Sequence, residues 1–294
     1  MADIIFPNLG ISFGDISTGF TIFGFNIAYY GVLIAIGMIL AVVLAMVRAK
    51  KTNQDPDDYI DLGIAAIVVG VICARLYYVL FRLDFYLANP AEIINIRGGG
   101  LAIYGGIIGG IAAGFVVARC KKINFLRVLD TVAPGIALAQ AIGRWGNFIN
   151  REAFGKFTDG LFAMQIPYND ASGVINLYKD LPEMQEIINN TVTIDGIQYI
   201  QVHPTFLYES LWCLLLFVLI IAFRKFQRYN GEIILWYLGG YALERAFVEG
   251  LRIDQLRIAG TDLAVSQLLS IAIAAAAILL LIINRVRLMT GSFK

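Results

Sequence analysis

Seven runs of apolar residues, each about as long as a bilayer core is thick, constrain this chain more than any other feature. They fall near 28–47, 60–81, 101–118, 128–143, 205–223, 232–250 and 264–283, and about 20 residues of helix cross about 30 Å of hydrocarbon. Inside lipid no water bonds the backbone, so a crossing segment must satisfy its own N–H and C=O groups, which points to helices. The reading is an all-α polytopic membrane protein with about seven transmembrane helices. Pro134 and Gly135 interrupt the fourth run, but both residue types are tolerated in membrane helices. Composition agrees: 59% of the 294 residues are hydrophobic and 15% charged, against about 25% charged in soluble domains. A net charge of +1 leaves no basic surplus to replace phosphate counterions, so no nucleic-acid partner is expected. Cys73, Cys120 and Cys213 lie within or at the end of apolar runs and read as small buried hydrophobes rather than as a disulfide framework or a metal site.

Orientation follows from the basic residues in the short connections. Arg48, Lys50 and Lys51 follow the first run; Arg119, Lys121, Lys122 and Arg127 separate the third and fourth. Arg224, Lys225 and Arg228 follow the fifth, and Arg285, Arg287 and Lys294 the seventh. These alternate connections hold thirteen of the 23 Lys and Arg residues, which predicts an outside N-terminus and a cytoplasmic C-terminus. No Lys or Arg precedes Arg48, so the basic start of a cleavable signal peptide is missing and insertion is expected to rely on internal segments. Residues 151–204 are too long for a bundle loop and mix turn, amphipathic and β-prone stretches, so they read as a small external α+β head. The expected organisation is four spans in 1–150, the head in 151–204 and three spans in 205–294.

That orientation assigns depth to the polar residues. Tyr29 and Tyr30 open the first span from outside, and Arg75 and Tyr78 occupy the outer part of the second. Tyr104 is in the outer part of the third, and Arg144 and Asn147 fall just past the fourth, in the polar stretch from Gly143 to Gly155. His203, Tyr208 and Glu209 open the fifth. Tyr241, Arg245 and Glu249 recur at i, i+4 and i+8 of the sixth, hence on one face, with Arg252 a turn later. An arginine at the centre of a membrane helix costs about 2.5–3.5 kcal/mol on insertion scales. Taken singly, Arg245 with Glu249 reads equally as a helix-internal pair, the tyrosines as interfacial aromatics and His203 as a cap residue. Together, with no obvious surplus of carboxylates, the arginines indicate an anionic ligand at the outer headgroup level. Arg151 is expected to snorkel to water. Gly106 and Gly110 supply small-xxx-small spacing for close helix packing, whereas Arg97 and Gly98–Gly100 read as a loop approaching the membrane from outside.

His203 is the only histidine, which removes HExxH and histidine-cluster metal sites. An anion transporter and a non-catalytic lipid-binding scaffold stay open on this pattern, although transporters place substrate near the midplane, often between repeated halves. Gly143-Arg144-Trp145-Gly146-Asn147-Phe148-Ile149-Asn150, with Glu152 and Gly155, resembles the signature of the bacterial prolipoprotein diacylglyceryl transferases. The resemblance extends to Arg97-Gly98-Gly99-Gly100 before Tyr104-Gly105-Gly106, to His203-Pro204-Thr205-Phe206-Leu207-Tyr208-Glu209, and to Tyr241, Arg245, Glu249 and Arg252; Tyr30-Gly31 and Arg75 also fit. It implies a bacterial cell-membrane transferase that moves the diacylglyceryl group of phosphatidylglycerol to the lipobox cysteine of prolipoproteins, without metal or organic cofactor. The resemblance implies Arg144, Arg245 and Tyr104 as catalytic residues. Arg144, Asn147, Tyr30, Gly155, Tyr241, Glu249, Arg252 and Arg75 are implied to bind substrate, and His203 and Glu209 to serve structure or proton relay. Many members carry histidine where this chain has Tyr104, and a tyrosine with an ordinary pKa near 10 is a poor base at neutral pH.

Overall fold

The computed structural model describes residues 3–14, 16–96, 99–257, 261 and 264–291. Arg97 and Gly98 of the glycine-rich motif, and Lys294 of the basic set, lie outside the described residues. The chain forms two units, residues 1–41 with 133–294, and residues 42–132.

In chain order the elements are β1 (Ile4–Phe6), β2 (Ile11–Phe13), β3 (Gly19–Ile22), β4 (Phe25–Ala28), α1 (Tyr29–Lys51), α2 (Pro56–Phe81) and α3 (Leu83–Ala88). There follow α4 (Ile103–Cys120), α5 (Phe125–Asn150), β5 (Met164–Pro167), α6 (Ser172–Tyr178), α7 (Pro182–Asn189), β6 (Val192–Ile194) and β7 (Ile197–Val202). The last three are α8 (Thr205–Phe223), α9 (Glu232–Leu251) and α10 (Val265–Met289). Among the described residues six helices, α1, α2, α4, α5, α8 and α10, are long and apolar enough to cross a membrane. The chain is therefore a multi-pass membrane protein with a small β-containing head.

The expected seventh span is present as α9 but falls outside that set, because it carries Glu232, Glu244, Arg245 and Glu249. Backbone pairing shows what it does. Gly155 N–H donates to His203 C=O at the start of α8, and Lys156 N–H to Leu251 C=O at the end of α9. α8 leaves this junction and α9 returns to it, so α9 traverses the same thickness, and its 20 residues span about 30 Å.

In the first unit an antiparallel sheet runs in the order β2-β1-β5-β7-β6. Residues 4–13, which the sequence reading leaves outside the head, supply two of its strands. Ile4, Phe6, Met164, Ile166, Ile200 and Val202 face one core with Met184 and Ile187, spaced i, i+3 on α7, and with Phe154 and Ile175. Because β1 pairs with β5, both ends of the intervening chain lie on one side, as the even number of apolar helices between them requires.

In the second unit α2 packs on α4 along small residues, with a register one residue away from the expected one. A Cβ on Gly105 would lie 2.4 Å from the Cys73 oxygen, and one on Gly109 2.6 Å from the Cys73 Cβ, whereas at Gly106 and Gly110 the nearest atoms are 3.7 and 3.6 Å away. Gly105 and Gly109 thus make the close approach that small-xxx-small spacing allows. Arg75, on α2, is buried and binds backbone with all its nitrogens. Nε donates to Ile93 C=O at 2.8 Å, Nη1 to Gly99 and Gly100 C=O at 2.9 Å each, and Nη2 to Glu92 C=O at 2.5 Å. Its guanidinium also lies 5.1 Å from the Tyr86 ring centroid. One guanidinium therefore shapes the loop that precedes α4.

Candidate active site

α5 does not stop at residue 143: it continues through Asn150, so Arg144 and Asn147 are helical residues one turn apart on the same face. The sharp turn comes afterwards and is made without glycine, since Arg151 and Ala153 both have positive φ (54° and 55°). Gly146 serves a different purpose. A Cβ there would fall 1.8 Å from Tyr30 Cδ2, so the glycine opens the slot that seats the Tyr30 ring. Two bonds fix the opposite side of the helix: Trp145 Nε1 donates to Ser210 Oγ at 3.1 Å, and Ser210 Oγ donates to Ala141 C=O at 2.8 Å. Ser210 neighbours Glu209 on α8, so the same contacts set the height of Glu209 against Arg144.

Glu209 is the hub of the site. It is 1% exposed, and three arginines from two segments reach it: Arg144 of α5 forms an ion pair with Oε2, Arg245 Nη1 of α9 lies 3.3 Å from Oε2, and Nη1 of Arg252, the residue that ends α9, lies 3.7 Å from Oε1. Arg245 also pairs with Glu249 one turn along α9. Arg252 forks onto Asp254 with Nε–Oδ1 of 2.8 Å and Nη2–Oδ2 of 2.6 Å, the bidentate geometry guanidinium favours. Burial alone would raise the Asp254 pKa, but the Arg252 fork holds its carboxyl below the usual range. The expectation of arginines without matching carboxylates is thus corrected: Glu209, Glu249 and Asp254 compensate Arg144, Arg245 and Arg252. The energetic reason is that a buried guanidinium without a partner is far costlier than a paired one.

Around this cluster, Tyr241 stacks on Tyr237 (centroids 5.9 Å, interplanar 9°) and lies within electrostatic reach of Arg144, Glu209 and Arg245. Asn147 Nδ2 donates to Glu152 Oε1 at 3.0 Å, which also accepts from Asn150 at 3.3 Å. Among the described residues, Glu244, 6% exposed, has no hydrogen-bond partner at either carboxyl oxygen.

Gly155 and His203 lie at the junction of the head with α8 and α9. Gly155 packs between His203, Leu251 and Thr205, with a Cβ there 2.8 Å from His203 Cβ, so packing accounts for it. His203 Nδ1 is 3.1 Å from the Tyr208 hydroxyl, and burial pushes its imidazole pKa below the usual value. Arg151, expected to snorkel, is 4% exposed; it donates to Ile149 and Ile16 C=O and pairs with Asp170 at 3.1 Å, tying the end of α5 to the segment after β2 and to the head. Arg75 and Tyr104 belong to the second unit, where Tyr104 is the second residue of α4 and 45% exposed. Sequence reasoning missed Asp254 and Glu244. The signal for Asp254 was its place two residues after Arg252, and for Glu244 its carboxyl inside an otherwise apolar run.

Three half-buried guanidiniums converging on one buried carboxylate, beside the junction of the head with α8 and α9, mark the candidate site of an integral membrane protein. The model of the prolipoprotein diacylglyceryl transferase family matches residues 17–283. The chain belongs to that family. It is 44% identical over 239 residues to the phosphatidylglycerol–prolipoprotein diacylglyceryl transferase of Clostridioides difficile (strain 630), covering 81% of this chain and 84% of that protein. It is 41% identical over 268 residues to the Clostridium novyi (strain NT) protein of the same name (91% and 95% covered), and 44% identical over 262 residues to that of Finegoldia magna (89% and 92% covered).

Proposed function

We propose that this chain is a transferase that moves the diacylglyceryl group of phosphatidylglycerol to the lipobox cysteine thiol of a prolipoprotein, in the bacterial cell membrane with its N-terminus and head outside. The observation that carries the reading is the sharing of one buried carboxylate, Glu209, by Arg144, Arg245 and Arg252. Guanidiniums that already hold one oxyanion are shaped to hold another, and the lipid phosphate is an oxyanion of matching geometry.

In the reaction the cysteine sulfur attacks the terminal glyceryl carbon, a thioether C–S bond forms, and the C–O bond to phosphate breaks with its electron pair passing to the phosphate oxygen. Glycerol phosphate leaves, and the proton lost by the thiol balances the negative charge that phosphate gains. The thiol has an ordinary pKa near 8.5, so the site must favour thiolate. Fixed cations beside the leaving oxygen lower the barrier as its charge develops. Arg144 binds the phosphate and Arg245 stabilises its growing charge, with Glu249 orienting Arg245 and Asp254 orienting Arg252. Asn147, Tyr30 and Tyr241 line the headgroup end. Arg75 acts through the loop it shapes, since its nitrogens are taken by backbone, and Tyr104 orients substrate.

The test is mass spectrometry of a lipobox peptide incubated with purified protein and phosphatidylglycerol. A diacylglyceryl mass gain is expected, lost in Arg144→Ala and Arg245→Ala and not restored by Arg144→Lys, which lacks the fork. Wild-type rates in both alanine variants would refute the assignment.

A further inference from the structure

The β3–β4 hairpin takes no part in the site or in the head sheet; it forms a two-stranded sheet of its own. Such a hairpin is marginal in water unless something covers it. Its register pairs Phe20 with Ile27, Thr21 with Asn26 and Ile22 with Phe25. Side chains alternate across a strand, so Phe20, Ile22, Phe25 and Ile27 share one face and Thr21 and Asn26 the other, where Thr21 Oγ1 lies 2.6 Å from Asn26 Oδ1. Phe20, Ile22 and Phe25 are 38%, 44% and 57% exposed, and Phe23 at the tip is 96% exposed.

The tip itself is informative. Phe23 and Gly24 both have positive φ (49° and 79°), nearly the values of Asp195 and Gly196 between β6 and β7 (50° and 79°). Turns with two positive φ values favour Asn-Gly and Asp-Gly. The head hairpin has the favoured Asp, whereas this hairpin holds a bulky aromatic in a conformation that disfavours it. The stability of the turn therefore does not explain Phe23; an apolar partner at the tip does.

The chain itself indicates the partner. No charged residue occurs from Ile16 to Val47, and the hairpin runs directly into α1, one of the apolar spans. Tyr29 N–H donates to Thr18 C=O at 3.0 Å, and the Phe20 and Tyr29 rings lie 5.4 Å apart. The apolar face is thus held beside the point where α1 enters lipid, the level at which aromatic side chains concentrate. We propose that the β3–β4 hairpin docks on the lipid surface at the mouth of α1, with Phe20, Ile22, Phe25 and Ile27 against acyl chains and Phe23 inserted, and that this contact sets the height of Tyr30 in the slot opened by Gly146.

Docking of the hairpin can be measured without the transfer reaction. Phe23→Cys and, as a water-exposed reference, Asp195→Cys are made in a Cys120→Ser background, and each is labelled with an environment-sensitive fluorophore. The labelled background protein supplies the blank for Cys73 and Cys213. In nanodiscs of phosphatidylcholine and phosphatidylglycerol, the label at 23 is expected to emit further to the blue than the label at 195. Lipids brominated on their acyl chains should quench it, and aqueous iodide should quench it less than the label at 195. Equal iodide quenching at the two positions overturns the proposal, because the tip is then in water. Protection from both quenchers overturns it too, because a second copy or another protein then covers the hairpin.

Discussion

Replacing Glu209 with glutamine keeps the shape of the hub and removes its charge. At an effective dielectric of about 20, a unit pair at the 3.3 Å of Arg245 is worth about 5 kcal/mol, and one at the 3.7 Å of Arg252 about 4.5 kcal/mol. These are gross attractions, offset by the cost of taking the ions out of water. Arg245 keeps Glu249 and Arg252 keeps Asp254, so the charge left stranded is chiefly that of Arg144, whose ion pair is with Glu209. Removing one partner of a buried pair costs about 3–5 kcal/mol, and because two of three arginines retain partners the expected loss is about 3 kcal/mol. If the cluster receives phosphate, the lipid restores what the mutation removed: a ligand at a hundred times its Kd stabilises by about 2.7 kcal/mol, and it should gain most where the internal carboxylate no longer competes. The assay is unfolding of purified wild type and Glu209→Gln in nanodiscs with and without phosphatidylglycerol. The variant should be less stable without the lipid and gain more from it than wild type does. Equal stability without the lipid, together with equal gains, would refute both the hub and the phosphate reading.

Gly146→Ala places a methyl group inside the Tyr30 ring, so the ring or helix must shift. The expected cost is about 1–3 kcal/mol, with a loss of transfer activity that Gly143→Ala, where a Cβ meets nothing within 4 Å, does not show. Asp254→Asn should raise KM for phosphatidylglycerol through a loosened Arg252 fork, and a KM equal to wild type would discard the orienting role. His203 has a lowered pKa in the fold, so its contribution to stability is complete above the ordinary value near 6.5 and is lost as pH falls through the folded value. His203→Gln should therefore flatten the stability-against-pH curve just below pH 6.5, and an unchanged curve would show that this imidazole does not set it.

The helices were legible because lipid imposes length and apolarity on each, and the face of α9 that bears Tyr241, Arg245 and Glu249 was legible because three residues at i, i+4 and i+8 need no tertiary information. What decides the register of a glycine stripe is the neighbouring helix, so Gly105 and Gly109 could not be separated from Gly106 and Gly110 by spacing. The charge balance was hidden for a related reason: Glu209 of α8, Arg144 of α5 and the Arg245–Arg252 end of α9 come from three separate segments, and their convergence is a property of packing. Arg151 was misread because nothing local shows that Ile16 and Asp170 come to meet it. The strands of residues 4–13 are three residues each, too short for alternation to show.

The pairing of Ile5 with Gln165 also sets a schedule for synthesis. At about 5–20 residues per second, the 159 residues between them emerge over roughly 8–32 s, during which β1 is already made and its partner does not yet exist. For that interval the first strand carries an open edge that nothing else in the head can close, so the nascent protein waits on its own fifth strand. Slowing translation between α1 and β5 should lengthen the time in which β1 is open to protease, while slowing it after β7 should not.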